Sequence, residues 1–307
     1  MMSEAGFMKI LSGNSNKPLA EKIASFLSVP LVRASLKTFP DKEIFVEIVD
    51  DLKGEDIFLI QSTSFPVNDN FMELLITLNA IKQGSPRSIT VVIPYYGYAR
   101  QDRLIIPQSS IAAELTAHLL QATDVNRIIT VDLHAPHIKK YFTIPIDNLS
   151  MAPVFREDIL ASHSLENLLI VSPDAGGHER AQMLAHSLNV KAITLFKDRD
   201  EITGTCTMKL ETSVIDQNCI IIDDIVDTGE TLCKAAELLM QKGATSVRAY
   251  CTHAILSGST LEKITLSPLQ EVVCTDSIFL PLSEKQCVKL RKLSMAPLLA
   301  TTIHSYA

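Results

Sequence analysis

Basic residues are in the minority: 28 Lys and Arg stand against 35 Asp and Glu, for a formal charge of −7 at neutral pH. A protein whose main work is to grip a nucleic-acid backbone needs a basic face, so that class of function is excluded. Small phosphates are not excluded, because a few backbone N–H groups with a Lys or Arg hold them. No apolar run approaches the ~20 residues of a membrane helix. The opening Met1-Met2-Ser3-Glu4-Ala5-Gly6 carries an early acid and lacks the apolar core of a signal peptide. The expected location is therefore cytoplasmic, with neither nucleic acid nor membrane as a partner. Cysteine is missing from the first half: all six lie between Cys206 and Cys287, and none form Cys-x-x-Cys. A metal cage or a disulfide framework is thus unsupported, and reduced, mostly buried thiols are expected. Short-period repeats and low-complexity tracts are absent too.

What the sequence does contain is alternation. Its 307 residues suffice for two domains, and 47% hydrophobic with 21% charged residues is an ordinary globular mixture. Apolar, β-branched runs predict strands over 9–11, 57–60, 89–93, 127–131, 168–171, 192–196, 219–222 and 247–251. Between them, helical spacing predicts helices over 18–27, 70–82, 111–120, 177–188 and 231–241. In the second of these, Phe71, Leu74, Leu75, Leu78 and Ile81 form one apolar stripe. Runs such as Ile220-Ile221-Ile222 suit strands covered on both faces. The expected class is α/β with mostly parallel sheets flanked by helices, in two halves, 1–150 and 151–307, meeting at a turn-rich break around 145–153. Ligands in such sheets sit beyond the carboxyl ends of the strands.

The most informative of those ends is Ile220-Ile221-Ile222-Asp223-Asp224-Ile225-Val226-Asp227-Thr228-Gly229-Glu230-Thr231. It reads as a buried strand ending in two carboxylates, a short loop, and a helix opening at Thr231. Consecutive N–H groups of Asp227, Thr228, Gly229, Glu230 and Thr231 at a helix N-terminus suit a phosphate monoester. Asp223 and Asp224 would repel that phosphate and make sense facing neutral hydroxyls, such as a ribose diol. Helix capping by the Asp residues is the plainer alternative.

Other segments carry further chemistry. Asp41 and Glu43, in Phe39-Pro40-Asp41-Lys42-Glu43, precede an alternating strand over 44–48 and also read as a plain turn. Tyr95-Tyr96-Gly97-Tyr98-Ala99-Arg100-Gln101-Asp102-Arg103 follows a strand, and its aromatics beside Arg100 and Gln101 suit a purine and its phosphates, or an aromatic surface corner. Asp132-Leu133-His134 and Ser172-Pro173-Asp174-Ala175-Gly176-Gly177 each bring a metal-binding side chain to a strand end. Phe196-Lys197-Asp198-Arg199 sets two cations on one side of an extended segment, or is a solvated charge run.

Residues 221–231 resemble the phosphoribosyl pyrophosphate loop shared by phosphoribosyltransferases and phosphoribosyl pyrophosphate synthetases. The Tyr-Ala-Arg-Gln-Asp and Asp-Leu-His-Ala segments, in order and spacing, resemble the synthetases, and this similarity runs through nearly the whole chain. The resemblance implies two phosphoribosyltransferase-like domains, the first taking ATP and making subunit contacts, the second holding ribose 5-phosphate. It implies that Asp41 and Glu43 meet adenine from a neighbouring subunit and that Arg100 and Gln101 hold ATP. It assigns Mg²⁺ to His134 and Asp174, catalysis to Lys197 and Arg199, the ribose to Asp223, and the 5-phosphate to residues 227–231, with Arg199 near the transferring phosphates. A dimer-based homo-oligomer, a hexamer by family pattern, is implied as well. Asp200-Glu201-Ile202-Thr203-Gly204-Thr205 reads as a mobile loop.

Two departures stand out. Leu104-Ile105-Ile106-Pro107-Gln108-Ser109-Ser110 replaces a basic, polar loop of the family. The end, His304-Ser305-Tyr306-Ala307, falls short of the tail that family members regulated by ADP and phosphate possess, so that regulation is expected to be weak. A weakly active or non-catalytic regulatory paralogue, or a phosphoribosyltransferase, remains the alternative reading.

Overall fold

The computed structural model describes residues 8–199, 206–210, 212–281 and 287–306; the N-terminal stretch and the 200–205 loop read from the sequence lie outside the described residues. The chain divides into two compact units, one of residues 1–149 with 276–279 and 294–307, the other of residues 150–275 with 280–293.

The first unit begins β1 (Met8–Ser12), α1 (Lys17–Leu27), β2 (Ala34–Thr38), β3 (Ile44–Ile48), β4 (Asp56–Ile60), α2 (Val67–Gln83), β5 (Ser88–Ile93), α3 (Ala112–Gln121), β6 (Arg127–Val131) and β7 (Ile146–Leu149). Its main sheet is parallel throughout, in the order β1-β4-β5-β6-β7. β4 is buried at every position, as a strand covered on both faces must be. The predicted stripe of α2 packs into that core: Phe71, Leu74, Leu78 and Ile81 are buried against Leu59, Val91 and Ile128, with Leu75 at the margin. β2 and β3 form a separate antiparallel hairpin, and along β3 exposed positions alternate with half-buried ones.

The second unit continues α4 (Ala152–Ser162), β8 (Leu168–Ser172), α5 (His178–Leu188), β9 (Lys191–Thr194), β10 (Phe196–Arg199), β11 (Cys206–Lys209), β12 (Asn218–Val226), α6 (Glu230–Gln241), β13 (Ser246–Ala254), α7 (Thr260–Leu266), β14 (Val272–Thr275) and β15 (Leu290–Leu293). Its six strands run parallel in the order β15-β14-β13-β12-β8-β9, and β10 pairs antiparallel with β11 as a ribbon. Cys219, Cys233, Cys251, Cys274 and Cys287 are buried free thiols. Among the described residues no helix is long and apolar enough to cross a membrane.

The structure departs from the sequence reading at several places. The strand expected over 192–196 breaks at buried Leu195 into β9 and β10, which belong to different sheets. The break expected around 145–153 holds β7 and the start of α4, where Pro153 occupies the first helical turn and forfeits no helical hydrogen bond. The second half does not run unbroken to the end, because residues 276–279 and helix α8 (Ala296–His304) return to the first unit.

One carboxylate anchors that return. Asp276 Oδ1 accepts from the Met295 N–H at 2.8 Å, and its Oδ2 accepts from Ser294 Oγ at 2.6 Å and Lys22 Nζ at 2.8 Å. Its backbone carbonyl takes the Asn16 Nδ2–H at 2.7 Å. Asp276→Ala strips three donors of their acceptor and is expected to cost about 2 kcal/mol. Hydrogen exchange should then quicken across α8, while exchange in β12 stays at the wild-type rate.

Candidate active site

In the second unit β12 lies between β8 and β13, and Ile220, Ile221 and Ile222 are each no more than 1% exposed. Pairing with β8 stops at Ile221, opposite Val171, whereas pairing with β13 continues to Val226, opposite Ala254. The two carboxylates therefore do not end the strand, as the sequence reading had it. They occupy the stretch where β12 outruns β8 and one edge lies open. Beyond the end of β8 sits Asp174, whose Oδ1 accepts from the N–H groups of Gly176 and Gly177 at 3.1 and 3.3 Å. This is a capped turn that aims the start of α5 at the same place.

Arg180, in the first turn of α5, is the cation set against the diacid. Its Nη1 lies 3.3 Å from Asp224 Oδ1 and 4.0 Å from Asp223 Oδ1. The Asp224 N–H donates to Asp223 Oδ1 at 2.9 Å. Burial, then the charge of Asp224, push the Asp223 carboxyl well above its ordinary pKa; Arg180 works against them and Asp174 with them.

The phosphate loop follows directly. Gly229 adopts the left-handed conformation (φ 69°), and a Cβ there would meet Thr260 Cγ2 at 2.9 Å, so glycine is required on both counts. Helix α6 opens at Glu230, one residue before the sequence reading, and the N–H groups of its first turn have no helical partner. Helix α7 and the turn before it brace the loop: Thr260 Oγ1 and the Ser257 N–H donate to the Asp227 carbonyl at 2.7 and 3.1 Å, and Lys263 Nζ donates to the Thr228 carbonyl at 3.2 Å. Ser257 Oγ also donates to Asp227 Oδ1. The Glu230 side chain pairs with Lys234 at 2.6 Å, so what Glu230 offers a ligand is its N–H. Sequence reading missed Arg180, Ser257, Thr260 and Lys263. Arg180 stands near the Asp174 turn and was legible in principle; the other three reach the loop only through the fold.

In the first unit, Arg100 and Gln101 are exposed beyond the end of β5. Tyr95 and Tyr96 are buried, Tyr96 bonding Thr116 Oγ1 at 3.0 Å, so the aromatic surface corner is not what forms. Gly97 fixes the turn: its N–H donates to Thr63 Oγ1 at 2.6 Å, and a Cβ would stand 2.3 Å from the Thr63 carbonyl oxygen. Asp102, just beyond, is 3.2 Å from His137 Nε2. That contact ties the end of β5 to the segment after β6, where exposed His134 follows the positive-φ residue Asp132. Asp41 and Glu43 form the exposed tip of the β2–β3 hairpin, with the Glu43 N–H donating to Asp41 Oδ1 at 3.1 Å. Leu104, Ile105 and Ile106 are 57–78% exposed. Lys197 stands opposite Met208 and Arg199 opposite Cys206 in the β10–β11 ribbon; their side chains lie outside the described residues. No cluster of three or more His, Cys, Asp or Glu forms a metal cage among the described residues.

Residues 8–123 match the family model of the N-terminal domain of ribose phosphate pyrophosphokinase, and residues 204–306 match the phosphoribosyl synthetase-associated domain. A ribose-phosphate pyrophosphokinase of Granulibacter bethesdensis is 47% identical over 95% of this chain and 94% of its own length. The chain belongs to the ribose-phosphate pyrophosphokinase family. The Rhizobium meliloti pyrophosphokinase is 46% identical over 96% of both chains. The crystal structure of phosphoribosylpyrophosphate synthetase from Mycobacterium smegmatis superposes with a TM-score of 0.91 at 33% identity, covering 98% of each chain. The fold is thus that of this pyrophosphokinase family, and the chain is an enzyme of that class rather than a phosphoribosyltransferase.

Because the folded state holds the Asp223 proton more tightly than the unfolded chain, the associated stability is present below the unfolded carboxylate range of ~3.9 and is lost as pH rises through the folded value. Asp223→Asn removes that loss. The substrate-free variant is expected to melt above wild type at pH 7.5, with the gap narrowing as pH falls. Equal melting temperatures at both pH values would show that the diacid carries no such strain.

Proposed function

We propose that this family member transfers the β,γ-pyrophosphoryl group of ATP to the anomeric hydroxyl of ribose 5-phosphate, releasing AMP and phosphoribosyl pyrophosphate for nucleotide synthesis. The observation that carries the reading is the phosphate loop: a left-handed Gly229 at the N-terminus of α6, directly beyond the half-buried Asp223 and the buried Asp224. The first-turn N–H groups and the Thr228 and Thr231 hydroxyls take the 5-phosphate. Asp223 and Asp224 accept from the ribose hydroxyls, which as neutral donors relieve rather than aggravate the carboxylate repulsion. Arg100 and Gln101 take ATP in the first unit, with Asp41 and Glu43 supplied to the adenine by a neighbouring subunit of a dimer-based homo-oligomer, and the enzyme works in the cytoplasm.

A pyrophosphoryl transfer asks little covalent help of the protein, so catalysis rests on positioning and charge neutralisation. Mg²⁺ fits the donor chemistry: Asp174 and Asp224 both add negative charge at Asp223, and Mg²⁺ is typically held by one or two carboxylates with substrate phosphates and water. Asp174 would hold it, with His134 as the second residue the family resemblance assigns; when bound it supplies charge neutralisation to the polyphosphate. Lys197 and Arg199 stabilise the charge that grows on the departing AMP. The intact loop, diacid, His134 and Asp174, with Lys197 and Arg199 in place, weigh against a non-catalytic paralogue.

Protein mixed with ribose 5-phosphate, ATP and Mg²⁺ should form AMP and the diphosphorylated sugar in equal amounts. AMP without the sugar, or neither product, would sink the reading. Lys197→Ala is expected to lower kcat by roughly 10²-fold or more with little change in KM, as for loss of a transition-state contact. Gly229→Ala should do the opposite, raising KM for ribose 5-phosphate at least tenfold while leaving KM for ATP near wild type.

A further inference from the structure

The second unit has a cavity at the end of its sheet away from the phosphate loop. Its volume is about 430 Å³, and it is lined by Ser162, His163, Arg248, Gln270, Glu271 and Arg291 with Val288 at the edge. Ser162 and His163 end α4, Arg248 lies near the start of β13, Glu271 directly precedes β14 and Arg291 is near the start of β15. All mark the amino-terminal side of a parallel sheet whose carboxyl side carries Asp223 and Thr228. From Arg248 to Ala254, the residue opposite Val226, β13 rises roughly 20 Å at ~3.3 Å per residue. The cavity is therefore a separate place, not a lobe of the active site.

Most charges there are already matched. Arg291 donates Nη1 and Nη2 to the two oxygens of Asp158, each at 2.7 Å, and Nε to Glu271 Oε1 at 2.6 Å. Tyr250 gives its hydroxyl proton to Asp158 Oδ2 at 2.7 Å, so its oxygen is left to accept from His163 Nε2–H at 3.1 Å. That chain places a proton on His163 Nε2. Arg248 is different. Its guanidinium donates to one neutral group, Ser246 Oγ, at 3.0 Å; Arg248 lines the cavity, and among the described residues no carboxylate is hydrogen-bonded to it.

We propose that this cavity is a binding site for a phosphate monoester carrying free hydroxyls, a sugar phosphate or a nucleoside monophosphate. The planar fork of Arg248 matches two phosphate oxygens, and the Ser162 hydroxyl lines the same wall. Glu271 Oε2, which Arg291 reaches at only 3.5 Å, and the Gln270 amide accept from hydroxyls on the rest of the ligand. The depression is open to solvent and wider than a bare anion needs. The Glu271 carboxylate keeps the wall from being uniformly positive, which disfavours a polyphosphate.

Hydrogen exchange with the full chain reads both sites at once. AMP, ribose 5-phosphate and inorganic phosphate are each titrated while peptides covering 160–165 and 287–291 report the cavity and those covering 226–233 report the phosphate loop. AMP or ribose 5-phosphate is expected to slow exchange in the cavity peptides. Protection by AMP alone assigns a nucleoside monophosphate, and protection by both assigns the shared sugar phosphate. Arg248→Met should raise the concentration needed there at least tenfold, with Arg248→Lys intermediate and loop protection unchanged, which also shows that both variants are folded. Protection confined to 226–233, cavity protection indifferent to Arg248, or equal protection by inorganic phosphate alone would each overturn the proposal.

Discussion

A parallel strand covered on both faces admits no charge along its length, and the second unit turns on how β12 handles that limit. Three isoleucines lie in its buried stretch, and charge begins only after Ile222, past the last pairing with β8 at Ile221. The ladder to β13 persists for five residues more, so the backbone under Asp223 and Asp224 is held as rigidly as in mid-sheet. Two carboxylates on neighbouring residues repel, and burial magnifies the repulsion. Only a firm backbone keeps such a pair in place, and the same firmness fixes where Gly229 and α6 begin.

From that point the site follows with little freedom. The strand ends at Val226, the loop has a few residues in which to reverse, and Gly229 is the one that takes the left-handed turn. Ser257, Thr260 and Lys263 consume the carbonyls of Asp227 and Thr228, leaving the N–H groups as the outward-facing element. A loop whose carbonyls are tied back and whose amides point outward is selective for anions before any side chain contributes. Arg180, arriving from α5, moderates the diacid without neutralising it.

Much of this was legible in the residues, for identifiable reasons. Strands apolar at every position and helices with one apolar stripe announced themselves, as Ile57, Phe58, Leu59 and Ile60 in β4 and the Phe71 to Ile81 stripe in α2 illustrate. The Asp-Asp and Thr-Gly-Glu-Thr sequences marked the loop because few other structures need that order. Boundaries failed where tertiary context decides them. Leu195 is apolar and extended like its neighbours, so nothing local shows that the chain leaves one sheet there for another. Pro145 and Pro153 look like breakers, yet one lies next to β7 and the other stands in the first turn of α4. Asp276 resembles any loop acid; its four hydrogen bonds come from residues 16, 22, 294 and 295, and no local pattern links them.

The two ends of the second sheet treat charge in opposite ways. At the amino end, Asp158 is held below its ordinary pKa although burial acts the other way, because Arg291 and Tyr250 both donate to it. At the carboxyl end Asp223 is driven upward by burial and by Asp224, with Arg180 opposing. The first arrangement stabilises the folded chain at neutral pH, and the second costs stability there. Both sit on the same hydrogen-bonded ladder, since β13 carries Tyr250 and pairs with β12 at Asp223. Marginal stability leaves little room for an unmatched buried acid unless the surrounding sheet supplies compensation. The network of Asp158, Arg291 and Tyr250, on the same sheet, acts in the stabilising direction, opposite to that at Asp223.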